Sequence, residues 1–188
     1  KPVYQARDHG EFDLAKAPMP RFDLLDPEKY NRITVQTSRG CPHKCDFCAS
    51  SILLTPRYKV KPVDKGIAEI RAIKAIWPHP FIEFADDNSF GHKEHYKHLM
   101  RELAKEGIRW FTESDLAVAD DPGFLAWRSV PGCEQVVIGS ESRRVSSLAG
   151  IETAANWKAC RRDRYLGAIE RIQSQGITVN GCFILGLD

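Results

Sequence analysis

The chain has no run of apolar residues approaching the ~20 needed to cross a bilayer. Asp8, Glu11 and Asp13 near its start are not what a secretory leader is expected to carry. An intracellular, cytoplasmic protein is therefore expected. Net charge is nearly absent: 27 Lys and Arg against 25 Asp and Glu leave +2, so composition predicts neither a nucleic-acid binder nor a membrane-surface protein. No internal repeat or low-complexity tract interrupts the chain. Cysteine is sparse, with six in 188 residues. In a chain this long without a secretory signal, that number points to reduced thiols rather than a disulfide framework. What is not lacking is apolar residues, which at 43% of the sequence suffice for the core of one domain.

Three of the cysteines stand together in Arg39-Gly40-Cys41-Pro42-His43-Lys44-Cys45-Asp46-Phe47-Cys48. No fourth ligand completes the set. A closed structural zinc site wants four protein ligands, whereas three thiolates can hold three irons of a 4Fe-4S cluster and leave the fourth iron open to substrate or cofactor. Gly40 and Pro42 suit a short loop that curls three sulfurs around one centre, which a helix or strand would splay. The alternative is a zinc-stabilised binding module using Cys41, Cys45, Cys48 and His43. Reaching a common tetrahedral centre from His43 would strain the loop. Cys133, Cys160 and Cys182 are scattered and are expected to be small buried hydrophobes.

Residues 1–32 carry Pro2, Pro18, Pro20 and Pro27 with no sustained period, and read as an arm or linker. From 33 to 188 apolar strand-like runs alternate with amphipathic helical stretches, the pattern of a βα repeat on a parallel sheet. Strands are predicted over Ile33–Thr37, Phe81–Ala85, Ile108–Thr112, Gln135–Ile138 and Ile177–Leu185. Helices are predicted from Val63 to Trp77, from Lys93 to Glu106 and from Arg162 to Gln175. A further helix begins at Asp121-Pro122 with Phe124, Leu125 and Trp127 inward. Ile33, Val35, Phe84, Val137 and Ile184 are expected in the core. Chemistry-bearing residues then follow each strand: Cys41, Asp86-Asp87-Asn88, Glu113, Ser140-Glu141 and Asp188. Parallel strands bring such ends to one face, as in the active-site rim of βα barrels.

These stretches together resemble the radical S-adenosylmethionine (SAM) superfamily, and within it the cobalamin-binding class. The resemblance rests on the cysteine loop with Phe47 before its last cysteine. It also rests on Pro20-Arg21-Phe22-Asp23-Leu24-Leu25, Gln36-Thr37-Ser38-Arg39-Gly40-Cys41, Phe84-Ala85-Asp86-Asp87-Asn88, Ile138-Gly139-Ser140-Glu141-Ser142 and Gly181-Cys182-Phe183-Ile184-Leu185-Gly186-Leu187-Asp188. It implies an α/β fold of the partial TIM-barrel kind, with about five βα units present. It implies a 4Fe-4S cluster on Cys41, Cys45 and Cys48. In that family the open iron chelates SAM, and one electron from the cluster breaks the sulfonium C–S bond to give a 5'-deoxyadenosyl radical that abstracts hydrogen. Asp86 and Asp87 would lie near the methionine end of SAM. Glu113, Ser140 and Glu141 would meet methionyl or ribose groups, while Phe47 and the strand reaching Ile184 would line the adenine. Methylation or rearrangement with cobalamin is the implied use; a radical SAM reaction without cobalamin is the alternative. No Asp-x-His-x-x-Gly cobalamin-ligand motif occurs, so a cobalamin domain is expected upstream and the sixth βα unit downstream, the chain being truncated at both ends.

Other features are bland. His92, His95 and His98 read as a solvated helix face rather than metal ligands, and Arg161, Arg162 and Arg164 as an exposed charge run. Arg57, Lys59 and Lys61, following the cysteine loop, could steer an acidic low-potential electron donor such as a flavodoxin or ferredoxin.

Overall fold

A computed structural model describes residues 12–50, 57–121 and 132–187. Five strands, β1 (Ile33–Val35), β4 (Phe81–Phe84), β5 (Arg109–Ser114), β6 (Cys133–Glu141) and β7 (Thr178–Phe183), form one sheet in that order, every neighbouring pair parallel. Strand order never reverses, as in the wall of a βα barrel and unlike a doubly wound sheet. Two short strands, β2 (Ser38–Arg39) and β3 (Lys59–Val60), pair antiparallel, so the excursion that carries the cysteines is pinched shut at its base.

The helices form where the apolar period is three to four. In α1 (Val63–Ile76) the buried residues include Val63, Ile67, Ile70 and Ile73, and the helix ends at Trp77 ahead of Pro78 and Pro80. In α2 (Lys93–Glu106) Tyr96, Leu99, Met100 and Leu103 are buried. Gly107 closes it at φ +62°, the left-handed conformation that only glycine takes without penalty. After β6 come the short helices α3 (Val145–Leu148) and α4 (Trp157–Arg161), a 3-10 turn over Arg162–Arg164, and α5 (Tyr165–Gln173). The predicted helix over Arg162–Gln175 is thus shorter and preceded by helical turns the periodicity did not show. The helix expected after Asp121, with Phe124, Leu125 and Trp127, lies outside the described residues, as does Asp188.

The helix-facing side of the sheet packs two apolar clusters. Ile82, Phe84 and Trp110 meet α1 and α2, while Val136 and Ile138 meet Leu148, Tyr165 and Ile172. Period two decides the rest: residues flanking the buried ones along a strand point to the other side. Val137, expected in the core, is only half-buried and lines a cavity there. Ile184, also expected in the core, lies beyond β7 and is 37% exposed. Cys160 and Cys182 are exposed rather than buried. The N-terminal arm contributes as well, with Leu14 and Phe22 buried. No helix among the described residues is long and apolar enough to cross a membrane.

Candidate functional site

At the carboxyl ends of the strands lies a cavity of about 370 Å³, lined by Cys41, Cys45 and Cys48, by Phe47, and by residues from the ends of β4, β5, β6 and β7. Gly40 takes φ +85° where the chain turns into the cysteine loop. Asp87 then holds that turn, accepting from the Gly40 amide at 2.7 Å and from the Ser50 hydroxyl. Burial pushes the Cys45 thiol up to about 11 and raises that of Cys41. Lys158 opposes the rise at Cys45. Deprotonation of these thiols therefore gains most from a cation placed among them.

Of the residues read from sequence, Cys41, Cys45, Cys48, Phe47, Asp87, Glu113 and Glu141 line this one cavity. Asp86, Ser140 and Ile184 do not. The Asp86 carboxylate is turned inward and accepts from the Thr37 amide at 2.7 Å, the Ser38 amide at 2.8 Å, the Ser89 hydroxyl at 2.7 Å and the Thr37 hydroxyl. It ties the end of β4 to the end of β1. Burial raises its pKa, and the four donors oppose the rise. Ser140 shares the face of Val136 and Ile138, four and two residues back, and is buried beneath Tyr165, whose hydroxyl donates to its carbonyl at 3.2 Å. Ile184 contributes its backbone, donating to the Glu141 carbonyl at 2.8 Å. Ser140, Glu141 and Glu113, expected just past their strands, lie within β6 and β5.

The cavity walls are charged in a definite pattern. Burial raises the pKa of Glu113, and the nearby carboxylates of Asp87, Glu83 and Asp86 add to it. On the neighbouring strand, Glu141 adopts φ +61°, rare for a residue with a side chain, and its carboxylate accepts from Lys158 Nζ at 2.8 Å. Lys158 donates also to the Gly139 carbonyl at 2.8 Å, and both members of the pair are buried. Nothing in the sequence marked Lys158, which lies 17 residues from its partner.

Two more connections were not legible. Asn88 donates to Asp115 at 2.8 Å and lies 3.8 Å from the Cys41 sulfur, while His43 Nε2 bonds the same Asp115 oxygen at 2.8 Å. Burial alone would raise the pKa of Asp115, but His43, Asn88 and the Ala117 amide hold it below the usual carboxylate range. His43 is thereby engaged away from the sulfurs, its ring 4.5 Å from that of Trp157. Among the described residues no three His, Cys, Asp or Glu side chains converge on one metal-ion position. Lys61, expected to steer a partner, is instead buried in an ion pair with Glu69 at 2.8 Å. Arg161 is paired with Asp120 and stacked over Trp157. His92 caps α2, accepting from the His95 amide at 3.2 Å.

Residues 35–188 match the radical SAM superfamily. The chain is 27% identical over 182 residues to an uncharacterised methyltransferase of Synechocystis sp., covering 94% of this chain and 33% of that protein. It is 25% identical over 193 residues to bacteriochlorophyllide d C-12(1)-methyltransferase of Chlorobaculum tepidum, covering all of this chain and 41% of that protein. The fold is similar to the solved structure of the radical SAM methyltransferase TsrM from Kitasatospora setae with cobalamin and a 4Fe-4S cluster bound. That match has TM-score 0.65 and 18% identity over 80% of this chain and 28% of that one. The chain thus spans about two fifths or less of each of these proteins.

Proposed function

The chain belongs to the radical SAM superfamily, and from that premise we propose that Cys41, Cys45 and Cys48 hold a 4Fe-4S cluster whose open iron takes SAM in the cavity beside them. The observation that carries this reading is a single cavity lined by three thiols from one loop, by carboxylates and by a buried lysine. When bound, the cluster supplies one electron that breaks the sulfonium C–S bond of SAM and yields a 5'-deoxyadenosyl radical. The chain's own residues bind and orient. Asp87 and Glu113 offer acceptors to the ammonium of SAM, and Lys158, held by Glu141 and the Gly139 carbonyl, offers a cation to its carboxylate. Phe47, at the cavity lip, and the backbone running to Ile184 flank the adenine.

The named methyltransferases support a methyl transfer as the reaction of the whole protein, with cobalamin carried by a segment outside these residues. A low-potential donor such as a flavodoxin or ferredoxin would supply the electron, with Arg57 and Lys59 near the surface beside the loop. Anaerobic reconstitution should give a brown protein with about four irons per chain. With dithionite and SAM it should release 5'-deoxyadenosine and methionine. Uptake of one zinc and no cluster would reject the reading.

A further inference from the structure

The cysteine loop is fastened along its outer edge by a stretch of chain more than a hundred residues away. Cys45 forms an isolated antiparallel bridge with Glu152. The Asp46 amide donates to the Ile151 carbonyl at 2.9 Å, and the Thr153 amide donates to the Lys44 carbonyl at 2.8 Å. At the centre of this joint is the Glu152 carboxylate. It accepts from the Lys44 amide at 3.2 Å and from three amides of its own turn, Ala154 at 3.1 Å, Ala155 at 2.8 Å and Trp157 at 3.2 Å. Glu152 is 2% exposed. The turn it organises then delivers the Trp157 ring against His43 of the loop and the Lys158 ammonium to Glu141 on the cavity wall.

We infer that Glu152 is the positioning residue of the cysteine loop: its carboxylate closes the 151–158 turn and holds that turn on residues 44–46, so that Cys45 faces the cavity. This rests on reading the loop as the cluster site. Four backbone donors converge on one buried carboxylate, and no neutral side chain of that length presents four equivalent acceptor sites. Outer residues that orient ligands in this way commonly set metal-centre affinity within a factor of ten to a hundred.

The test compares Glu152→Ala and Glu152→Gln in the full chain, with Glu170→Gln on α5 as a control. In cluster-free protein the amides of Lys44, Asp46 and Thr153 should exchange hydrogen roughly 10- to 100-fold faster in Glu152→Ala. Glu152→Gln should lie between, Glu170→Gln should match the parent, and amides of β1, β4 and β5 should be unchanged. After anaerobic reconstitution, Glu152→Ala should bind iron roughly 10-fold or more weakly, with partial rescue in Glu152→Gln. Unchanged exchange at the loop would overturn the inference. So would faster exchange everywhere, which would make Glu152 a plain stability residue. If the parent takes up no cluster while its loop still responds to Glu152→Ala, the cluster reading fails and the positioning role stands.

Discussion

The two walls of the cavity are built in different ways. The wall at the ends of β1 and β4, where Asp87 and Asn88 line the cavity, is braced from behind by short contiguous stretches, Thr37, Ser38 and Gly40 on one side and Asp86 to Ser89 on the other, joined by hydrogen bonds to two adjacent carboxylates. The wall at the end of β6 is assembled from single residues of a turn that has no strand or long helix of its own, with Glu152 and Lys158 reaching back to the cysteine loop and to Glu141. A wall fastened to sheet strands inherits the rigidity of the apolar core beneath it. A wall fastened by buried charge depends on every partner being present, because an unpaired buried ion is costly.

The cysteine loop lies between the walls, and removing a ligand from it should have the largest effect. Cys45→Ala should abolish a stable cluster, read as loss of iron and of the charge-transfer absorbance, while far-UV circular dichroism is kept. Cys133→Ala is the matched control and should retain both. If the pattern is reversed, the loop is not the cluster site. Next comes the buried pair of the second wall. Lys158→Met leaves the Glu141 carboxylate buried without its ammonium and should cost about 3–5 kcal/mol in urea unfolding. Adding Glu141→Gln should recover most of that loss. A single substitution costing under ~1 kcal/mol would show that the second wall is no more charge-dependent than the first.

Acid separates the walls further. Although burial works against it, the four backbone amides around the Glu152 carboxylate lower its pKa from 4.5 to about 2. Between those values the unfolded chain binds more protons than the folded one, so stability rises with pH. The contribution is fully present above about 4.5 and is lost as pH falls toward 2. It is on the order of 3 kcal/mol. Glu152→Gln should flatten the acid limb of a stability-against-pH curve measured with urea, and an unchanged limb would refute the assignment.

The smallest effects should distinguish the neighbouring carboxylates of the first wall. Asp86→Asn disturbs four inward bonds and should cost about 1–3 kcal/mol of stability. Asp87→Asn should cost under ~1 kcal/mol of stability, yet weaken SAM binding by calorimetry roughly 10-fold. Equal behaviour in the two variants would erase the division between brace and cavity residue.

Much of this was legible in the chain, and the reason is locality. The apolar steps of α1 and α2, the glycine that stops α2, the order of strands and the spacing of Cys41, Cys45 and Cys48 depend on backbone geometry within a few residues, and all are visible in sequence. The face on which a strand residue lands depends on where the strand begins. Predicting β6 to start at Gln135 and stop at Ile138 left Ser140 and Glu141 in a loop, although the strand's alternation buries Ser140 and turns Glu141 to the cavity. Likewise Asp86 and Asp87 are chemically identical neighbours, and only the packing of β4 beside β1 decides that one braces and the other lines the site. The sequence by itself determined the five strands of the main sheet, the helices α1 and α2 and the three-thiol loop, but not the short β2–β3 pair or the helical turns before α5. Tertiary structure alone decided that Lys44 meets Glu152 across 108 residues and that Lys158 meets Glu141. Long-range partners are selected by the shape of the assembled sheet and the cost of unpaired buried charge, and no local pattern records either.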